Sequence, residues 1–327
     1  MAEGLASLFE LAKQVNRQPV LEDPEVEQAR KELLGKISDA MHRIIPSRIL
    51  ELSETHRWAE DFDQALETYN RWGIFSDNAD KGELISPNEL RNHTPSIAHL
   101  MEALMKDDGA ILRKVQEGFV RVQVVPFGLS PAALERPMDA AIRHYHDQGK
   151  LRAMNGESLE ICSVGTVRLR SCFNEGDYGK MIYAPRCYDS AQHGGKTKKE
   201  LLESSPHPGW QVFLVQDFKV GRRIMRRETL RQELNHLGRP EQGLSPEAWQ
   251  SEFLTHITQT EGEVIDSVGP PCACLGGFLP ERYKIPFVYW RGSPPQVWFD
   301  AIHPDYEYSH EYSSEGAFSI PSAVQVL

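Results

Sequence analysis

Two hydrophobic periods divide the chain near residue 116. Ahead of that point apolar residues recur every three to four positions, the spacing that gathers them on one side of an α-helix. Val26, Ala29, Leu33, Ile37, Ala40, Met41 and Ile44 keep this period. Asp23-Pro24 starts the run, with proline at the first helical position, and Pro46 ends it. Trp58, Phe62, Ala65, Leu66, Tyr69 and Trp72 form a second stripe, followed by a polar loop at 76–80. Ser86-Pro87-Asn88-Glu89 has the spacing of a capping box, and Thr94-Pro95 opens a helix carrying Ile97, Leu100, Met101 and Leu104.

Beyond Phe119 the period shortens to two. Val120, Val122 and Val124 alternate with Arg121 and Gln123, the pattern of a half-buried strand. Ser130-Pro131 then starts a helix with Leu134, Met138, Ile142 and Tyr145 inward, ended by Gly149. Further strands are predicted at Ser163–Cys172, Met181–Pro185 and Trp210–Gln216, and helices near 228–237 and 246–258. The fold class expected is α+β: a helical N-terminal region over 1–115 and an α+β domain over 116–327. No internal repeat or low-complexity tract is present.

Charge narrows the function classes. Lys and Arg number 36 against 47 Asp and Glu, a net charge of -11. Binding to phosphate backbones needs clustered cations, so no nucleic-acid partner is expected, and the basic run at 221–228 is too short to change that. No run approaches the ~20 apolar residues of a membrane span, and the first residues lack the pattern of a signal peptide. A cytoplasmic location is the default expectation, with association to a particle or surface left open. Five scattered cysteines imply no disulfide framework.

Several familiar chemistries fail on spacing. Gly194-Gly195-Lys196-Thr197 lacks the earlier glycine of a phosphate loop, since Ser190 stands there, and Thr197 reads as a helix cap. Cys272-Ala273-Cys274 has no second close cysteine pair to close a zinc site. His144 and His146, two apart on a helix, face different ways. No Gly-x-Ser-x-Gly elbow occurs. His303, Asp305 and His310 make the most metal-like cluster, yet their Tyr and Ser neighbours suit an exposed loop better. No metal, cofactor or enzymatic activity is expected.

What stands out is the C-terminus. Eight of the 26 residues from 287 to 312 are Phe, Trp or Tyr, against 9% in the whole chain. They alternate with Ser, Gly, His and Asp, a composition suited to recognition, in which rings supply contact area at low entropic cost. Gly276-Gly277-Phe278, Val288-Tyr289-Trp290-Arg291, Gln296-Val297-Trp298, Gly316 and Ser322-Ala323-Val324-Gln325-Val326 together resemble the C-terminal part of the target proteins of diversity-generating retroelements. These are variable proteins with a C-type-lectin fold related to formylglycine-generating enzymes. The resemblance covers about 275–327, is weaker over 116–274 and is absent from the N-terminal helices.

The resemblance implies a C-type-lectin-like domain over 116–327 with a variable ligand-binding segment at about 287–320. A reverse transcriptase would rewrite adenine-containing codons there. Trp290, Gln296, Trp298 and the strand 322–326 would be fixed scaffold. Phe287, Tyr289, Arg291, Ser293, Asp300, His303, Asp305, Tyr306, Tyr308, His310 and Tyr312 would contact an unknown protein or other macromolecular ligand. This sequence departs from the family in carrying Phe318, Pro321 and Gln325 where the closing strand usually carries Arg. It also lacks the Glu-Pro-Asn and Trp-Asn-Asp signatures of sugar-binding lectins; only His303-Pro304-Asp305 stands. The rival expectations are an enzyme using Cys272, Cys274, His303 and His310, and a structural component of a particle.

Overall fold

A computed structural model describes residues 7–8, 11–12, 14–15, 24–44, 47–76, 83–106, 109–162, 165–173, 175–216, 223–225, 229–237, 240–267, 270–306 and 318–327. The helical first third runs through α1 (Pro24–Ile44), α2 (Ser47–Thr55), α3 (Trp58–Arg71), α4 (Pro87–Asn92), α5 (Ile97–Lys106) and α6 (Ala110–Gln116). The stripe on α3 is buried as its spacing requires: Trp58, Phe62, Ala65 and Tyr69 all face inward. Ser86 and Glu89 make the predicted capping box at the start of α4. α1 departs from expectation. Ile37 and Met41 are buried, but Val26 and Leu33 are more than a third exposed, so only its C-terminal half meets the core.

The mixed region follows with β1 (Phe119–Pro126), α7 (Ala132–Asp147), β2 (Arg152–Ala153), β3 (Val167–Leu169), α8 (Glu175–Gly179), β4 (Ile182–Tyr183), β5 (Lys196–Thr197), α9 (Lys198–Ser204) and β6 (Trp210–Gln216). Next come β7 (Arg223–Met225), α10 (Leu230–His236), β8 (Glu241–Gly243), α11 (Pro246–Gln259), β9 (Glu263–Val264), β10 (Cys272–Ala273) and β11 (Gly277–Phe278). The chain closes with β12 (Ile285–Arg291), β13 (Gln296–Ile302), β14 (Phe318–Ile320) and β15 (Ser322–Gln325). The architecture is α+β with several sheets. A four-stranded sheet has the order β1-β6-β15-β8, and a six-stranded sheet the order β3-β13-β12-β10-β14-β7. A small β11-β4-β5 sheet and a β2-β9 pair complete it.

Of the strand expected at Ser163–Cys172, residues 163–164 lie outside the described residues, Val167–Leu169 form β3, and the C-terminal end turns into a 3-10 helix at Ser171–Phe173. The N-terminal helices and the sheets share a core. Trp58 Nε1 donates to the Val120 carbonyl at 2.7 Å, Tyr69 donates its hydroxyl to the Val124 carbonyl, and Trp210 Nε1 donates to the Leu90 carbonyl at 2.7 Å. These bonds let large rings bury without orphaning their polar atoms. Among the described residues no helix is long and apolar enough to cross a membrane.

One contact across this junction has a titration signature. Asp61 on α3 accepts the Val122 N–H at 2.8 Å. Burial raises its carboxyl to about 6, against the opposing pull of that bond and of Arg121. The native state therefore holds a proton between about pH 4 and 6 that the unfolded chain has released, and stability falls as pH rises through that window. Asp61→Asn keeps an acceptor for Val122. It is expected to flatten the window and to add about 1–2 kcal/mol at pH 7, read from urea midpoints at pH 4, 5, 6 and 7.

Candidate functional site

The β12–β13 hairpin carries the site. Its register pairs Phe287 with Asp300, Tyr289 with Trp298 and Arg291 with Gln296. Alternation along each strand then assigns the two faces. Val288, Val297 and Phe299 are fully buried on one face and Ala301 nearly so. The other face carries Phe287, Tyr289, Trp298 and Asp300, all half-buried, and Arg291, which is exposed. The hairpin turns through Gly292 at φ 99°, a conformation that L side chains rarely adopt.

On this second face the rings form a continuous stack. Phe287 and Tyr289 lie 5.1 Å apart and nearly parallel at 15°, and Tyr289 and Trp298 lie 6.5 Å apart at 25°. Phe318 closes one end, edge-on to Phe287 at 5.8 Å. At the other end the Arg170 guanidinium sits 4.5 Å over the Trp298 ring, in cation–π range, with its Nε 3.4 Å from Asp300 Oδ2. Trp298 Nε1 is buried with no hydrogen-bond partner. An orphaned donor of this kind costs roughly 1–3 kcal/mol. Cys172 Sγ lies 3.9 Å from Asp300 Oδ1, and burial, helped by that carboxylate, pushes its thiol up to about 11. It is protonated at neutral pH and a poor nucleophile. The strip thus offers aromatic surface, a cation and a carboxylate, which are means of recognition.

The expected site residues divide into groups. Phe287, Tyr289, Arg291 and Asp300 come together on the strip. Ser293 is exposed in the hairpin turn. Asp305 is held elsewhere: Arg231 on α10 donates to it through Nε at 2.5 Å and Nη2 at 3.0 Å, and also to the Tyr283 hydroxyl at 2.6 Å. His303 packs its ring 5.1 Å from Tyr283, and the Tyr306 N–H donates to the His303 carbonyl at 3.1 Å. His303, Asp305 and Tyr306 thus belong to a clamp joining the end of β13 to α10. Tyr308, His310 and Tyr312 lie outside the described residues.

The residues expected as scaffold behave in two ways. Trp290 donates Nε1 to the Ile265 carbonyl at 3.0 Å, and Gln296 Nε2 donates to the Gly165 carbonyl at 2.7 Å, so both tie the hairpin to neighbouring loops. Trp298 instead forms the last ring of the strip, beneath Arg170. Cys272 and Cys274 are fully buried, while His303 is exposed. Among the described residues no group of three or more His, Cys, Asp and Glu side chains is arranged to hold a metal ion.

No family model, characterised protein or solved structure matches the chain.

One cluster has no local sequence signal. Lys198, Glu247, Tyr178 and Tyr183 are all buried. Tyr178 and Tyr183 both donate their hydroxyls to Glu247 Oε1, the first at 2.5 Å. Lys198 Nζ lies 3.1 Å from the same oxygen and 3.2 Å from the Tyr178 ring centroid. The ion pair has no hydrogen-bond geometry, and Glu247 Oε2 has no partner. Burial draws the lysine down to about 8 against the pull of Glu247. Burial works to raise the Glu247 carboxyl, but Lys198 and the two hydroxyls outweigh it and hold it below its ordinary value. A lysine and a glutamate 49 positions apart, one beside Thr197 and Lys199 and the other in the first turn of α11, look like surface charges in a linear reading.

Proposed function

We propose that this chain is a binding protein whose β12–β13 face recognises a macromolecular partner, with the face presented by a C-type-lectin-like scaffold and diversified by a retroelement. The observation that carries the reading is the stacked Phe287–Tyr289–Trp298 strip, flanked by Arg170 and Arg291, on the side of the hairpin opposite the buried Val288, Val297 and Phe299. Large rings and arginine are the side chains that dominate binding energy at protein interfaces. Strict alternation lets one face change while the other keeps the core intact. A surface meant to vary needs that separation.

The test is display of the full chain with positions 287, 289, 291 and 300 randomised, sorted on a panel of folded proteins. The expected result is protease-resistant clones that bind single panel members with dissociation constants of about 1 µM or tighter. Clones that bind only after losing protease resistance, or a library in which most members no longer fold, contradict the reading.

A further inference from the structure

A second site lies on the four-stranded sheet, away from the hairpin. An open cleft of about 570 Å³ is lined by the β4–β5 turn, β6, α10, β8 and β15. That volume lies in the range of small-molecule sites. Its floor follows from strand register. Gln325 pairs with Phe213, Ala323 with Gln242, and Gln211 lies two residues from Phe213 on β6. Gln211, Gln242 and Gln325 therefore share one sheet face on three adjacent strands, and all three line the cleft. The same face carries Phe213, Val215 and Ala323, which form a small apolar cluster with Leu244 and Ala248. Three amides stand where that cluster stops.

Gln211 is the informative member. It is 3% exposed, it lines the cleft, and its Oε1 is buried with no hydrogen-bond partner. A buried acceptor left unpaired is costly, and a ligand N–H or O–H would satisfy it. The rim adds positive charge. Arg186 and Lys196 both line the cleft and are exposed. Glu241, the carboxylate among the described lining residues, is engaged by Lys114 at 2.6 Å. Gly195 keeps the β4–β5 turn closed, because a Cβ there would come within 2.3 Å of the Tyr183 carbonyl oxygen. Tyr183 is the aromatic lining residue, but it is only 2% exposed, so it offers no ring for a base to stack on.

We infer that this cleft binds a small polyhydroxy anion, a sugar phosphate or a sugar acid. Side-chain amides both donate to and accept from hydroxyls, which suits a sugar ring. Arg186 suits a phosphate or carboxylate bidentately. The Gly194-Gly195-Lys196 stretch, which fails as a phosphate loop, still contributes to an anion site, through the Lys196 side chain and the closeness of the turn.

Calorimetric titration of the full chain with glucose 6-phosphate, glucuronate, glucose and inorganic phosphate tests this. The expected result is saturable binding of glucose 6-phosphate or glucuronate at a dissociation constant of about 1 mM or tighter, at least tenfold stronger than for glucose or phosphate. The tighter of the two anions tells whether the site prefers phosphate or carboxylate. Arg186→Gln should weaken binding about tenfold and Gln211→Met about fivefold. Gln211→Met should also raise the melting temperature of the free protein, since it removes the orphaned acceptor. If that variant fails to fold, Gln325→Leu replaces it. Neither anion binding at about 10 mM, phosphate alone binding as well as the sugars, or unchanged affinity in Arg186→Gln and the glutamine variant would overturn the assignment.

Discussion

Glu247→Ala is expected to lower the unfolding free energy by about 3–5 kcal/mol. The substitution strands a fully buried lysine and leaves two buried tyrosine hydroxyls without their acceptor. The pair itself stabilises little, since desolvation offsets the attraction, so the asymmetry between variants is the test. Lys198→Met leaves Glu247 with both hydroxyl donors and removes an ammonium that lacks hydrogen bonds, so it should cost about 1–2 kcal/mol at most. Lys198→Met/Glu247→Gln should resemble Lys198→Met more than Glu247→Ala. Urea midpoints at unchanged slope give these values. A Glu247→Ala loss below about 1 kcal/mol would mean that the cluster hydrates freely.

The same cluster fixes a direction with pH. Lys198 titrates at about 8 in the folded protein and at its ordinary 10.5 when unfolded. Between those values the unfolded chain binds more protons, so the lysine's contribution to stability rises with pH from about 8 upward. Lys198→Met should abolish that rise. Tyr178, Tyr183 and Tyr188, whose hydroxyls burial holds well above 10, act in the opposite direction above pH 10. The comparison is therefore cleanest between pH 7.5 and about 9.5.

The second large effect separates the two faces of the hairpin. Phe299 is fully buried, edge-on to both Phe173 and Trp249 at 5.7 Å. Phe299→Ala should cost about 3–5 kcal/mol through lost burial and the cavity left behind. Tyr289→Ser, one strand away on the opposite face, should cost less than about 1 kcal/mol. Arg291→Ser should be within about 0.5 kcal/mol of the parent. Chemical denaturation of the three single variants measures all of this. Similar losses for Phe299→Ala and Tyr289→Ser would make the strip part of the core and remove its claim to be a recognition surface.

The parts of this fold carried by local physics were legible in sequence. The α3 stripe, the Ser86–Glu89 capping box, the Thr197 cap of α9, and β1 and β6 all appear where spacing and capping chemistry put them. What sequence missed depends on distant partners. α2 follows directly after a proline and has no acidic residue in its first turn to announce it. The strand expected at Ser163–Cys172 is found, but its extent is set from afar: Val167–Leu169 run parallel to β13, with Val167 opposite Val297, some 130 positions away. The candidate site was half legible. Aromatic enrichment pointed to 287–312, but with rings at 287, 289, 290, 298 and 299 it could not tell inward from outward, and only the β12–β13 register does so. Asp305 is exposed, as expected, but reads as a ligand contact because nothing near it in sequence reveals Arg231. The glutamine floor of the cleft was invisible for the same reason, its members lying on three strands.

The proposal that the hairpin face is a diversified binding surface is tested most directly by sequencing the DNA around the gene. A neighbouring reverse-transcriptase gene and a near-copy of the codons for about 287–320 are expected. That copy should differ from the gene only opposite its adenines. The differences should alter Phe287, Tyr289, Arg291 and Asp300 and spare Val288, Val297, Trp298 and Phe299. A locus with neither feature, or with differences falling equally on the buried alternates, would contradict it.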